Sequence, residues 1–132
     1  MSGNPRVLIV DDEADIRELL DMTLARMGLA CDTAASVVVA TRLLSENTYQ
    51  LCLTDMRMPD GDGLELVRYI ETTYPTLPVA VITAHGSTEN AVAALKAGAF
   101  DYLAKPVALD ALRSLVRSAI ALPPRSSKTS TF

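Results

Sequence analysis

The chain has 132 residues, nearly half of them hydrophobic, which suits one domain with a sizeable core and leaves no room for two. Its formal charge of -4 supplies no positive field for nucleic acid or an anionic membrane, so direct DNA binding by this segment is not expected. The longest apolar stretches, such as Leu77 to Ala84, fall far short of the about 20 residues of a membrane span, and the amino terminus lacks a signal-peptide pattern; a cytoplasmic protein is expected.

Short apolar runs alternate with longer segments of helical period, the pattern of strands and helices in turn. Five such pairs fit. Arg6-Val7-Leu8-Ile9-Val10 reads as the first strand, and Ala14 to Met27 follows as a helix carrying Ile16, Leu19, Leu20 and Leu24 at helical spacing, with Gly28 suited to its end. Leu29 to Thr33 is a weaker second strand, and Ser36 is placed to cap a helix running through Leu44. Leu51-Cys52-Leu53-Thr54 is the third strand. A turn-forming loop, Met58-Pro59-Asp60-Gly61-Asp62-Gly63, leads to a helix that starts at Gly63, continues past Ile70 and stops before Pro75.

Pro78 to Ile82 gives the fourth strand, a helix capped by Ser87 or Thr88 runs to Lys96 and ends at Gly98, and Phe100 to Leu103 gives the fifth strand. Asp110 to Leu122 is the last helix, with Leu112, Leu115, Val116, Ala119 and Ile120 facing inward. Residues 1–122 are thus expected to form one domain and 123–132, rich in Pro, Ser and Thr, a linker or tail. Cys31 and Cys52 lack metal-ligand spacing and are expected as reduced core residues.

Runs this short and this apolar are strands covered on both faces, as in a parallel sheet between helices, and ligands bind such sheets at the carboxyl ends of the strands. Asp11 and Asp12 follow the first strand, Asp55 the third, Thr83 and Ala84 the fourth, Lys105 and Pro106 the fifth. Converging carboxylates repel one another unless a hard cation lies between them, and magnesium suits a few carboxylates with water and phosphate oxygens. The set is fitted to phosphoryl transfer: Asp55 as carboxylate nucleophile, magnesium and Lys105 neutralising the equatorial oxygens, Thr83 donating a hydrogen bond. A cis Lys105-Pro106 bond is compatible with this and is not fixed by sequence.

Blander roles compete. Asp11 and Asp12 could cap the first helix, Thr83 could cap another, and Tyr102 reads as a core aromatic with its hydroxyl at the rim. Asp60 and Asp62 are assigned to the turn. His85, the sole histidine, excludes a multi-histidine metal site and is expected in an exposed loop. Capping does not account for the third carboxylate and the lysine at neighbouring strand ends, which favours the chemical reading.

Val10-Asp11-Asp12-Glu13, Leu53-Thr54-Asp55-Met56-Arg57-Met58-Pro59, Ile82-Thr83-Ala84 and Lys105-Pro106, in this order, resemble the receiver domain of bacterial two-component response regulators over roughly residues 5 to 122. The resemblance implies an α/β, flavodoxin-like (βα)5 fold with five parallel strands in the order 2-1-3-4-5. It also implies that Asp55 is the phospho-acceptor, that Asp12, Asp55 and the Arg57 backbone carbonyl bind magnesium with Asp11 helping through water, that Lys105 clamps the phosphate, and that Thr83 and Tyr102 form a switch pair. Ala97-Gly98-Ala99-Phe100-Asp101-Tyr102-Leu103-Ala104-Lys105-Pro106 is similar to receivers of NtrC-type activators of sigma-54 transcription, with type IV pilus regulators nearest.

The implied function is a signalling switch, phosphorylated by a histidine kinase and not a turnover enzyme beyond self-phosphotransfer and autodephosphorylation. The implied partners are a sensor histidine kinase, output ATPase and DNA-binding domains not contained in this sequence, and a second copy docking through helix four, strand five and helix five. A magnesium-dependent small-molecule phosphatase with Asp55 as nucleophile is the enzymatic alternative, and Arg57 stands against it where such an enzyme needs an acid. A phosphorylation-independent interaction module is the other, and the complete site argues against it.

Overall fold

A computed structural model describes residues 6–83 and 88–121. Strand β1 (Arg6–Val10) leads to helix α1 (Ala14–Arg26), β2 (Ala30–Ala34) to α2 (Val37–Glu46), and β3 (Leu51–Asp55) to α3 (Gly63–Thr73). Between β3 and α3 the chain adds two two-residue strands, β4 (Arg57–Met58) and β5 (Gly61–Asp62), paired with each other alone. Then come β6 (Val79–Thr83), α4 (Thr88–Ala97), β7 (Asp101–Ala104) and α5 (Leu109–Ala121). The five long strands run parallel in the order β2-β1-β3-β6-β7, which is the expected 2-1-3-4-5 once the small ladder is counted.

The central strands β1, β3 and β6 alternate their side chains between two apolar layers, as the strand period requires. Leu8, Val10, Cys52, Val79 and Val81 pack with Ala40, Leu44, Leu66, Val67, Ile70 and Ala94 of α2, α3 and α4. Val7, Ile9, Leu51, Leu53, Ala80 and Ile82 pack with Leu20, Leu24, Leu112 and Val116 of α1 and α5. Each large side chain so buried contributes about 1.5–3 kcal/mol relative to exposure, which fixes the sheet as a rigid platform for its carboxyl edge.

Element ends moved for local reasons. Gly28, at φ +85°, closes α1 with its N–H on the Ala25 carbonyl and that of Leu29 on the Leu24 carbonyl, so Leu29 belongs to the helix-ending motif and β2 begins at Ala30. Asp55 pairs with Ile82 and Thr83 with Ala104, so both are the last residues of their strands and not the first residues of loops. Ser36 caps α2 as expected, its Oγ accepting from Val39 N–H. Asp62 caps α3, while both carboxylate oxygens of Asp60 accept from the N–H groups of Val37 and Val38 at the start of α2. The two aspartates assigned to the turn therefore also anchor two helix starts.

Both cysteines are free thiols, but only Cys52 is fully buried; Cys31 lies on the edge strand β2 and is half-buried. Tyr102 is 41% exposed and not a core aromatic, because β7 is the other edge strand and buries only Leu103. Ala84, His85 and Ser87, the amino-terminal residues 1–5 and the 123–132 tail lie outside the described residues. Among the described residues no helix is long and apolar enough to cross a membrane.

Candidate functional site

Parallel pairing in register brings four strand ends to one edge. Asp11 follows Val10, which pairs with Thr54, the neighbour of Asp55; Thr83 pairs with Ala104, the neighbour of Lys105. The Asp11 N–H donates to the Ala34 carbonyl at 3.0 Å, and the Lys105 N–H to the Thr83 carbonyl at 2.9 Å, fixing both chain exits against their neighbouring strands. The Lys105-Pro106 peptide is cis.

Each of the two buried carboxylates spends one oxygen on the backbone and turns the other inward. Asp11 Oδ1 accepts from Glu13 N–H at 2.9 Å and Asp55 Oδ1 from Met56 N–H at 2.8 Å. Their Oδ2 atoms each lie 3.4 Å from Lys105 Nζ, and Asp11 Oδ2 is buried without a hydrogen-bond partner. Asp12 is exposed, and oxygens of Asp11, Asp12 and Asp55 all lie within 4.8 Å of one another. These are hard oxygen donors around a small space, with an orphaned carboxylate oxygen facing it, so the residues fit magnesium.

Burial pushes the Asp11 carboxyl up, reinforced by the charge of Asp55, against the Glu13 N–H and Lys105. Burial likewise raises Asp55, with Asp12 adding to it, against Lys105 and the Met56 N–H. For Lys105 burial alone would lower the ammonium, but the hydrogen bond to Glu13 and the fields of Asp11, Asp55 and Glu13 together outweigh it and hold it raised. The carboxylates thus sit in a place that disfavours their own charge, and the lysine in one that favours its own.

Two contributors escaped the sequence reading. Glu13 Oε1 lies 2.9 Å from Lys105 Nζ, the shortest of the lysine's three ion pairs. Arg17 donates to the Asp11 carbonyl at 2.7 Å and so braces the loop from α1. A cation in the first turn of a helix opposes the helix dipole, and that misfit was the available signal for Arg17. The capping alternative for the acidic pair fails: Glu13 occupies the N-cap of α1 and makes no side-chain cap bond.

Thr83 is buried, with its hydroxyl 3.4 Å from the Leu103 carbonyl it donates to, a long bond that leaves Oγ1 open to a better acceptor. Arg57 is exposed in β4, opposite Asp62.

A model of the response regulator receiver domain matches residues 7–117. The chain belongs to the response regulator receiver domain family. Its relatives include the response regulator protein PilR of Pseudomonas aeruginosa, 57% identical over 117 residues, covering 89% of this chain and 26% of that protein. The DNA-binding transcriptional regulator NtrC of Escherichia coli is 42% identical over 115 residues, covering 87% of this chain and 24% of that protein. This receiver domain therefore spans about a quarter of the length of the curated relatives it matches.

Among solved structures, the receiver domain of NtrX from Brucella abortus superposes with a TM-score of 0.85 at 34% identity, over 89% of this chain and 99% of that one. The beryllofluoride-activated NtrC4 receiver domain dimer gives 0.82 at 36%, over 87% and 95%. The expected kinship with NtrC-type regulators and PilR is borne out. The family is one of signalling switches, and the acidic cluster of Asp11, Asp12 and Asp55 has the composition to bind magnesium.

Proposed function

We propose that this receiver domain is a phosphorylation-controlled switch in which Asp55 takes a phosphoryl group from a phosphohistidine of a sensor kinase. The observation that carries the reading is the pair of 3.4 Å approaches of Lys105 Nζ to Asp11 and Asp55, at the one edge where three carboxylates converge. Asp55 Oδ1 is held by the Met56 N–H, so Oδ2 is the oxygen free to attack. Its new bond to phosphorus forms as the phosphorus–nitrogen bond breaks, and the electron pair leaves with the imidazole.

Asp11, Asp12, Asp55 and the Arg57 carbonyl would hold magnesium, which supplies positive charge to the phosphoryl oxygens as theirs develops. The Lys105 ammonium and the Thr83 hydroxyl bind the remaining oxygens. Phosphorylation adds charge and acceptor atoms that draw Thr83 away from its long bond to Leu103, and Tyr102, on the neighbouring strand, is the second member of the switch. The output face is α4–β7–α5, where Val92, Leu95 and Tyr102 are exposed at 45%, 45% and 41%, a surface suited to a second copy of the domain. In a longer protein of the NtrC type the output is transcription from sigma-54 promoters, through ATPase and DNA-binding domains, in the cytoplasm.

The test is treatment with acetyl phosphate and magnesium, followed by peptide mapping by mass spectrometry. One phosphoryl group is expected, on Asp55, and none on Asp55→Asn, which keeps the shape and loses the nucleophilic oxygen. Undiminished labelling of Asp55→Asn would end the assignment.

A further inference from the structure

At the end of the molecule opposite the acidic edge, where α1 runs out before β2 begins, α1 and α5 part around a groove of about 500 Å3. Its floor is apolar: Met27, Leu29 and Ile120 are packed against the core on one side and open on the other. Its rim is arginine. Arg26 comes from the last turn of α1, and Arg113 and Arg117 from successive turns of α5.

Arg113 is engaged with Asp110 at 3.0 Å, an exposed pair of the kind that contributes little. Arg26 and Arg117 are exposed and have no hydrogen-bond or ion-pair partner among the described residues. A chain of net charge -4 has thus set three guanidinium groups around an apolar floor that no described residue covers. Arginine beside exposed apolar surface is the composition of a protein interface, and guanidinium pairs best with carboxylates.

We propose that this groove docks an acidic amphipathic helix of a protein partner. Apolar side chains spaced three and four residues apart enter over Met27, Leu29 and Ile120, and flanking carboxylates pair with Arg26 and Arg117. The charge selects this occupant over the others. A second copy meeting the groove symmetrically would set arginines against arginines. The residues after Ala121 contain Arg125 and Lys128 and no acid. A nucleic acid would satisfy the arginines and leave the apolar floor unfilled.

The experiment is fluorescence anisotropy with a labelled helical peptide of about 18 residues, five turns, carrying a leucine stripe flanked by glutamates. Its counterpart has lysine for every glutamate, and a short DNA duplex is the third probe. The parent chain should bind the glutamate peptide at least about tenfold more tightly than the lysine peptide or the duplex. Arg26→Glu with Arg117→Glu, both at exposed positions, should lose at least about tenfold in affinity for the glutamate peptide. Backbone amide shifts of the parent on titration should cluster in residues 23–29 and 113–120. Failure of the parent to bind the glutamate peptide, equal affinity for the two peptides, tighter binding of the duplex, undiminished binding by the double variant, or shifts confined elsewhere would each overturn the proposal.

Discussion

Gly63→Ala tests how the start of α3 shapes the acidic edge. Gly63 is buried, and its N–H donates to the Met56 carbonyl at 2.7 Å. A Cβ there would overlap the Asp55 carbonyl oxygen and lie 2.9 Å from Met56 Cα and 3.0 Å from the Asp55 carbonyl carbon. Carbon atoms in contact settle at about 3.5–4.0 Å, so the carbon contacts alone demand that the helix start retreat by roughly 0.5–1 Å, and the overlap with the carbonyl oxygen demands more. The strand cannot yield instead, because β3 is paired with β1 on one side and β6 on the other. Overpacking of this kind costs about 1–3 kcal/mol, and the stretched hydrogen bond adds about 1 kcal/mol.

The better helix propensity of alanine offsets at most about 1 kcal/mol of that. The expected loss is therefore about 1–4 kcal/mol in urea unfolding, a large share of the 5–15 kcal/mol typical of a domain. Because the overlapped atoms are the backbone of Asp55 and Met56, and the retreating helix start pulls on the Met56 carbonyl through its hydrogen bond, magnesium affinity should fall together with stability. Gly61→Ala is the control: its Cβ meets the Val37 side chain at 3.1 Å, which asks for an adjustment of only a few tenths of an ångström and touches no backbone. Equal stability of the two variants would refute the steric argument, and a destabilised Gly63→Ala with unchanged magnesium affinity would separate the glycine from the site.

Asp60 holds the N–H groups of Val37 and Val38, and those two bonds keep its carboxyl below the ordinary aspartate range. Its stabilisation is therefore present above that range and lost as pH falls through the depressed value; Asp60→Asn should destabilise at pH 7, and the gap from the parent should close below about pH 4. A gap independent of pH would contradict the charged cap. Asp12→Ala should weaken magnesium binding at least about tenfold in a titration followed by fluorescence or calorimetry, since it removes one of three converging carboxylates; an unchanged affinity would remove Asp12 from the site. Burial pushes the Cys52 thiol up to about 12, and burial with Asp21 and Asp32 does the same for Cys31. Neither should react appreciably with a thiol reagent at pH 8 until urea unfolds the chain, and modification of native Cys52 at the unfolded rate would show the core to be open.

The five strands and five helices were legible because burial on two faces demands unbroken apolar runs, and helices that cover them demand a stripe. The order of charged residues along the chain then placed Asp11, Asp12, Asp55 and Lys105 together, since parallel strands share one carboxyl edge. What sequence could not carry is contact across the fold. Asp60 caps a helix that begins 23 residues earlier, and Glu13 finds Lys105 across 92 residues, pairings with no local signature. Tyr102 was misjudged because an aromatic residue in a strand reads as core, whereas an edge strand buries one face only in part.

The edge of the sheet is built against its own stability, and that conflict explains how the proposed switch is set. Asp11, Glu13 and Asp55 share the ammonium of Lys105, and the buried pair among them resists ionisation because burial strips away solvent and a neighbouring carboxylate repels each. Local strain of this kind persists only where the rest of the structure holds it, and here two apolar layers do so. Glu13 is exposed and makes the shortest contact with Lys105, so its carboxylate gains least from desolvation and is the partner most easily given up. A phosphoryl group on Asp55 would present its oxygens to the same ammonium from the buried side, where attraction is screened less. Lys105 would then leave Glu13 for the phosphoryl oxygens. Its backbone N–H is already bonded to the Thr83 carbonyl, so the lysine and threonine respond to the new charge as one unit at the end of β6 and β7.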